Sequence, residues 1–313
     1  MKNYYEFYTK QVSSRLTAHD KRKFRSQIEK DFSELGWNVT FMKGKSGFSK
    51  VTNVLAGDLK FAKVVIAVPY DTPAKVFWPN TKYYPLNGNR SNLKGFLPLY
   101  GPALIVYGMI LAILSFQNQI FSNAMMRGIF SIFSMVILGF MMYYLLHGFR
   151  NKHNHTRNSA SIIAALEIAK SLSKDEKRKV AFLFTDKNVH RHPGAKVAME
   201  EFQKIGKSPT IISLNCIGRG KDMVIGYLAN SRKVAQDLNR KLDVRLKQIQ
   251  ITDNMRMQSA MEHFSKAVVI AAGTFDEKQD LCVLGTGTSK DHHMEGENIT
   301  KVVQIITKYI QTI

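Results

Sequence analysis

The chain has 313 residues, 45 lysines and arginines against 24 aspartates and glutamates, and a formal charge of +21. Such a charge suits anionic lipid or nucleic acid, but no helix-turn-helix, zinc-finger or RNA-recognition pattern is present, so the expected partners do not include nucleic acid. Two cysteines, Cys216 and Cys282, each inside an apolar run, exclude a disulfide framework and suit a reducing compartment.

The first residues, MKNYYEFYTKQVSSRL, hold no apolar core of the length a cleavable signal needs. Residues 20–35 predict an amphipathic helix, with Phe24, Ile28, Phe32 and Leu35 at helical spacing and Gly36 as its stop. WNVTFMKG and KVTNVLAGD predict strands, and the β-branched run 61–68, bounded by Pro69, predicts a buried one. Residues 73–94, rich in Pro, Asn, Tyr and Lys, read as a long loop. Two uncharged runs follow, 95–116 and 128–149, each longer than the roughly 20 residues that cross a bilayer core. Beyond them the pattern alternates. Helices are expected at 159–174, 194–206, 231–247 and 297–311, and strands at 178–186, 209–218, 222–228, 266–274 and 280–286. Strands alternating with helices predict an α/β fold, a mostly parallel central sheet with helices on both faces.

The two apolar runs predict a transmembrane helical hairpin over 95–149. It would interrupt one α/β domain whose halves are 1–94 and 150–313, about 258 residues in all. Arg90, Lys94, Arg150, Lys152 and Arg157 flank the spans on the domain side, while the connection carries only Arg127. Basic residues near span ends stay in the cytoplasm. The expected location is therefore the cell membrane, multi-pass, with the domain and both termini cytoplasmic. Gly101, Gly108 and Ala112 permit close helix packing, and His147 reads as an interfacial anchor.

Several stretches, taken in order, carry a resemblance. HNHTRNSASIIAALEIAKSL resembles "GADDNASGVAALLELARAL", and RKVAFLFTDKNVHRHPGAKVAMEEF resembles "RTIVFVFFDAEEQGLLGSKAYAEEF". VVIAVPYDT matches a strand ending in His-x-Asp, and ISLNCIGRG matches "INLDMIGR". KDHHMEGENITKVVQIITKYI resembles a last helix and its lead-in. This ordered set is similar to the co-catalytic zinc aminopeptidases of metallopeptidase family 28, a fold also found in the transferrin-receptor ectodomain and the glutamate carboxypeptidases. The resemblance covers most of 20–313, with the hairpin as an insertion, and implies two zinc ions bridged by a carboxylate, with a Glu as general base.

The residues that the resemblance assigns to zinc are replaced. Pro69 stands for the first His ligand, and Arg157 (Thr156 if the register slips by one) for the bridging Asp. Asn188 and Val189 stand for the Glu pair and Asn215 for the next Asp. Thr286, Gly287 or Thr288 stands for the last His. Asp71, which in the family orients the first His, persists. Zinc takes His nitrogen and carboxylate oxygen, and an arginine at the bridging position sets a permanent positive charge where the cations belong. Ser259, Ala260 and Met261 replace a further "SDH" element. GTGTSK (285–290) lacks the phosphate-loop pattern, and Met255, Met257 and Met261 read as packing residues.

The expected function is accordingly a membrane-anchored pseudopeptidase with a vestigial cleft at Pro69, Asp71, Arg157, Asn188, Val189, Asn215 and Asp291, and without a cofactor. Its expected partners are membrane lipid, another membrane protein, or a peptide bound without cleavage. The transferrin receptor and nicastrin use the same fold as a receptor or a complex subunit. An alternative stays open. Six of nine histidines cluster, as His153 with His155, His190 with His192, and His292 with His293. With Asp71 or Asp291 they could form a relocated zinc site in an active aminopeptidase.

Overall fold

A computed structural model of the chain describes residues 4–78, 80–189, 191–240 and 245–313. Helix α1 (Tyr4–Glu6) and a π turn open it. They set the fully buried Tyr8 so that its hydroxyl donates to Asp31 at 2.6 Å. Asp31 lies on helix α2 (Ala18–Glu34), whose start is a capping box between Thr17 and Asp20. Its end is fixed by Gly36 at φ +78°, with Gly36 N donating to Ser33 O and Trp37 N to Phe32 O. Phe24, Ile28 and Phe32 are buried as their spacing predicts.

Strands β1 (Val39–Ser46) and β2 (Ser49–Ala56) form an antiparallel hairpin. β2 runs antiparallel to β5 (Val180–Thr185), and from β5 the sheet continues in parallel through β3 (Val64–Pro69), β6 (Thr210–Leu214) and β9 (Ala267–Phe275). β10 (Leu281–Leu284) and β4 (Lys82–Tyr83) extend one side of β9. β7 (Asp222–Tyr227) with its parallel neighbour β8 (Lys247–Gln250) lies on another. The central strands are apolar on both faces because helices cover both. Val64, Ile66 and Val68 of β3 join one core with α2, α5 (Ala160–Ser171), α8 (Arg232–Arg240) and α10 (Gly296–Ile310). Val65 and Ala67 face the other core, which contains Ala195, Ala198 and Phe202 of α7 (Pro193–Lys204). Gly194 makes that second packing possible, since a Cβ there would meet Asp186 O at 2.1 Å.

The helical hairpin is longer than its apolar runs. Helix α3 spans Gly88–Ile120 and helix α4 Ala124–His147, so the connection shrinks from the expected eleven residues to 121–123. Both are long and apolar enough to cross a membrane, and few of their apolar residues are buried within the chain. They pair through Tyr144 Oη donating to Leu99 O at 3.3 Å and Ser131 Oγ to Gln117 Oε1 at 2.8 Å. Of the small residues, Gly101 and Ala103 are buried, whereas a Cβ on Gly108 would meet nothing within 4 Å. α4 ends where Gly148 adopts φ +67°.

The expected loop at 73–94 is thus partly structured. β4 forms in it, and α3 begins at Gly88, capped by Asn87. The first turn of α3 is bound to the domain. Arg90 pairs with Asp276 at 2.6 Å and with Asp280, and lies 4.2 Å from the centre of the Tyr84 ring. Other boundaries differ locally. Ser173 caps a short helix α6 (Lys174–Lys179) where the sequence read as helix end and strand start. Of the helix expected over 231–247, Arg232–Arg240 is helical and 241–244 lie outside the described residues, while β8 pairs with β7 through polar residues that hide its period. A short α9 (Asp253–Arg256) precedes the β9 strand.

Candidate functional site

Pro69, Thr185 and Leu214 end three parallel strands at one edge of the sheet, and the loops beyond them enclose a cavity of about 610 Å³. Clefts outside the carboxyl ends of strands are where open α/β sheets bind ligands. Six of the seven positions expected to form the vestigial cleft line this cavity together, Pro69, Asp71, Arg157, Asn188, Val189 and Asn215, and Thr286, Gly287 and the Ser259, Ala260 and Met261 element line it too. Asp291 does not line it. Asp291 is buried behind the wall, where its Oδ1 accepts from Thr156 N at 2.8 Å. Burial raises its carboxyl to about 7, opposed by the Thr156 hydrogen bonds and the Arg157 charge.

The side chains hold one another. Asp71 accepts from the backbone amide of Asn188 at 2.9 and 3.0 Å and from its Nδ2 at 3.2 Å. Asn188 Nδ2 also donates to Thr185 O. Asn158 Nδ2 donates to Asp71 O at 2.8 Å and Pro69 O at 3.2 Å, while its Oδ1 is buried with no hydrogen-bond partner. Arg157 stands over the Tyr83 ring, 4.1 Å from its centre, and Asn215 Nδ2 donates to the Tyr83 hydroxyl at 3.2 Å. Burial raises the Tyr83 phenol further from ionisation. Just after Asn215 the chain leaves the sheet at Cys216, which is buried at φ +57° with its thiol pushed up by burial.

The loop from β5 to α7 forms the opposite wall. Lys187, Arg191 and His192 have φ of +55°, +52° and +44°, and all three line the cavity. Left-handed backbone at side chains larger than Gly is costly and collects at functional sites. The remaining wall comes from the hairpin, with Phe96, Leu99 and Tyr100 of α3 and Tyr144 and Leu145 of α4. The sequence reading did not single out Tyr83, Asn158, Lys187 or Arg191. Tyr83 lay in a segment read as a connector. Asn158 adjoins Arg157, and the two basic residues sit among the histidines of the β5–α7 loop.

This donor set does not fit a pair of zinc ions. Among the described lining residues the only carboxylate is Asp71, and its oxygens are engaged by Asn188. Pro69, Arg157, Asn188 and Asn215 offer no imidazole or carboxylate. Nor are the described histidines gathered into the relocated site. Among the described residues no three His, Cys, Asp or Glu side chains converge on a point that could hold a metal ion. His153 meets His292 ring to ring at 6.1 Å. His155 Nδ1 contacts Asp291 O, and His293 O accepts from Thr156 Oγ1. His192, by contrast, contacts Gln258 O on the cavity wall. His190 lies outside the described residues.

No protein-family model matches the sequence, and no curated protein matches it. Solved structures do. A Porphyromonas gingivalis glutaminyl cyclase aligns with TM-score 0.59 at 11% identity over 99% of this chain and 96% of its own. A Zn-dependent exopeptidase from Parabacteroides distasonis gives 0.58 at 11% over 98% and 96%, and the Legionella pneumophila LapA aminopeptidase 0.58 at 11% over 98% and 70%. The likeness is one of fold. The mostly parallel sheet with helices on both faces is the architecture of zinc exopeptidases and glutaminyl cyclases. The resemblance drawn from the sequence therefore stands at the level of fold.

Proposed function

We propose that this chain is a membrane-anchored pseudopeptidase, whose cleft binds a ligand or partner without hydrolysing it and whose α3–α4 hairpin crosses the bilayer. The observation that carries the reading is the chemistry of the cavity wall. Co-catalytic hydrolysis needs several carboxylates and imidazoles around two metal ions and a free general base. Here Asp71 is held by Asn188, and Arg157, which the resemblance aligns with the bridging Asp (Thr156 if the register slips by one), stacks on Tyr83. The hairpin supports the anchoring. α3 spans about 50 Å at 1.5 Å per residue, enough for a bilayer core of about 30 Å after its first turns are bound to the domain. Arg90, Lys94, Arg150 and Lys152 cluster at the domain side of the hairpin. That placement supports a cytoplasmic domain, with both termini on the same side.

The test uses full-length protein purified in mild detergent. Bound zinc is measured by elemental analysis, and the same sample is assayed with added zinc for release of N-terminal residues from peptides and for cyclisation of N-terminal Gln. The expected result is substoichiometric metal and no turnover above a detergent blank. Stoichiometric zinc with chelator-sensitive turnover would overturn the proposal and favour the relocated histidine site.

A further inference from the structure

The cavity joins two walls of opposite character. On the domain side, from β4 and the loops beyond the strand ends, stand Arg157, Lys82, Lys187 and Arg191. Lys21 also lines the cavity but is committed to Asp186 at 2.6 Å. Among the described residues no carboxylate lies within ion-pair distance of those first four. Cations gathered around a concave, partly desolvated space attract an anion strongly. On the other side stand Phe96, Leu99, Tyr100 and Tyr144, from the domain-side ends of the hairpin.

From this juxtaposition we infer that the cleft binds an anionic membrane phospholipid, with the phosphate beside Arg157 and the upper acyl chain along Phe96, Leu99 and Tyr100. The inference deepens the proposed function and rests on its reading of α3 and α4 as bilayer spans. On that reading the aromatic wall lies at the membrane boundary, so a lipid reaches both walls at once. An acidic peptide gains from the cations alone. The cavity volume, about 610 Å³, is of the size that small ligands occupy. It takes a headgroup and part of a chain, the rest remaining in the bilayer.

The experiment is native mass spectrometry of the full-length protein in neutral detergent, titrated with phosphatidylglycerol, phosphatidylcholine, glycerol 3-phosphate or an acidic peptide. Metal content and peptidase activity are read on the same preparation, so that loss of the pseudopeptidase reading is seen separately. Saturable binding of a single phosphatidylglycerol is expected, weakened about tenfold or more in Arg157→Gln, as loss of a charge-assisted hydrogen bond implies. Lys60→Gln, on the exposed β2–β3 connection, should bind as the parent does. Leu99→Asn, which leaves the cations intact, should also weaken the lipid. It keeps the test open should Arg157→Gln fail to fold. Equal binding by Arg157→Gln and the parent, equal binding of the two lipids, or Arg157-dependent capture of the acidic peptide in preference to lipid would each overturn the inference.

Discussion

The guanidinium of Arg157 lies 4.1 Å from the centre of the Tyr83 ring, and Tyr83 is in turn held through its hydroxyl by Asn215. Three separate parts of the chain meet there: the turn before α5, the short strand β4 and the end of β6. A stacked arginine in a partly enclosed cleft is an ordered cation. Tyr83→Phe keeps the stack and removes the hydroxyl. Its expected cost is about 1 kcal/mol, the worth of one net hydrogen bond. Tyr83→Ala removes the platform as well, and the expected cost is about 3 kcal/mol or more, as for truncated buried aromatics. Urea unfolding midpoints of the two variants check this, and equal losses would show that the ring is not the support.

How much of this was legible follows from what each residue interacts with. β3, β5 and β6 were readable because they are apolar on both faces, and α2 because its apolar residues recur at helical spacing and Gly36 ends it. β8 was not readable, since Lys247, Gln248, Ile249 and Gln250 pair only at an edge, and no hydrophobic period marks them. The cleft positions Pro69, Asp71, Arg157, Asn188, Val189 and Asn215 could be named because each follows a recognisable strand or opens a helix. Tyr83 could not. Its role depends on β10 pairing with β4 across 200 residues of sequence, a contact that local pattern does not encode.

Asp291 gives the fold a pH dependence. Burial raises its carboxyl to about 7 in the folded chain, against an ordinary value of 3.8. The folded state therefore keeps a proton that the unfolded state releases. The stabilisation is fully present below about pH 4 and is lost as pH rises through about 7. His153 and His155, held below their ordinary value mainly by burial, act oppositely and destabilise the fold as pH falls. Asp291→Asn keeps an acceptor for Thr156 N and removes only the Asp291 titration. The variant should gain stability relative to the parent between about pH 5 and 8, and the gap should close near pH 4. Parallel stability curves would refute the assignment.

Arg15 is fully buried, yet no carboxylate pairs with it directly among the described residues. Its Nε donates to Tyr70 O at 2.6 Å, Nη1 to Val12 O, and Nη2 to Ser159 Oγ at 3.3 Å. Burial lowers its pKa to about 10, which leaves it charged at neutral pH. The planar fork spans three acceptors that an ammonium cannot reach together. Arg15→Lys should cost roughly 3 kcal/mol, from two or more lost charged hydrogen bonds. Because Arg15 Nε holds the carbonyl of Tyr70, next to Asp71, the loss should loosen the cleft floor. Thermal denaturation measures the stability, and amide exchange at 70–72 measures the loosening. Unchanged exchange with full stability would show that the cation is replaceable.

The orientation of the hairpin is open to direct test because its connection is short and the two cysteines are buried. Residues 121–123 join α3 to α4, and Ser122 is exposed there. Phe48, at the tip of the β1–β2 turn, is exposed on the domain. On the proposed orientation, the basic residues that flank α3 and α4 face the cytoplasm with the domain. Ser122→Cys should then react with a membrane-impermeant maleimide in intact cells, while Phe48→Cys reacts only after lysis. Cys216 and Cys282 are buried and give little background. Arg90 adds a further expectation. Its pairing with Asp276 and Asp280 fixes the first turn of α3, so Arg90→Ala should free the hairpin to tilt against the domain without inverting it. A spin-label distance between Ser122→Cys and Phe48→Cys in nanodiscs should therefore broaden in Arg90→Ala, with the maleimide pattern unchanged. Labelling of Phe48→Cys in intact cells would put the domain outside, and with it the cleft.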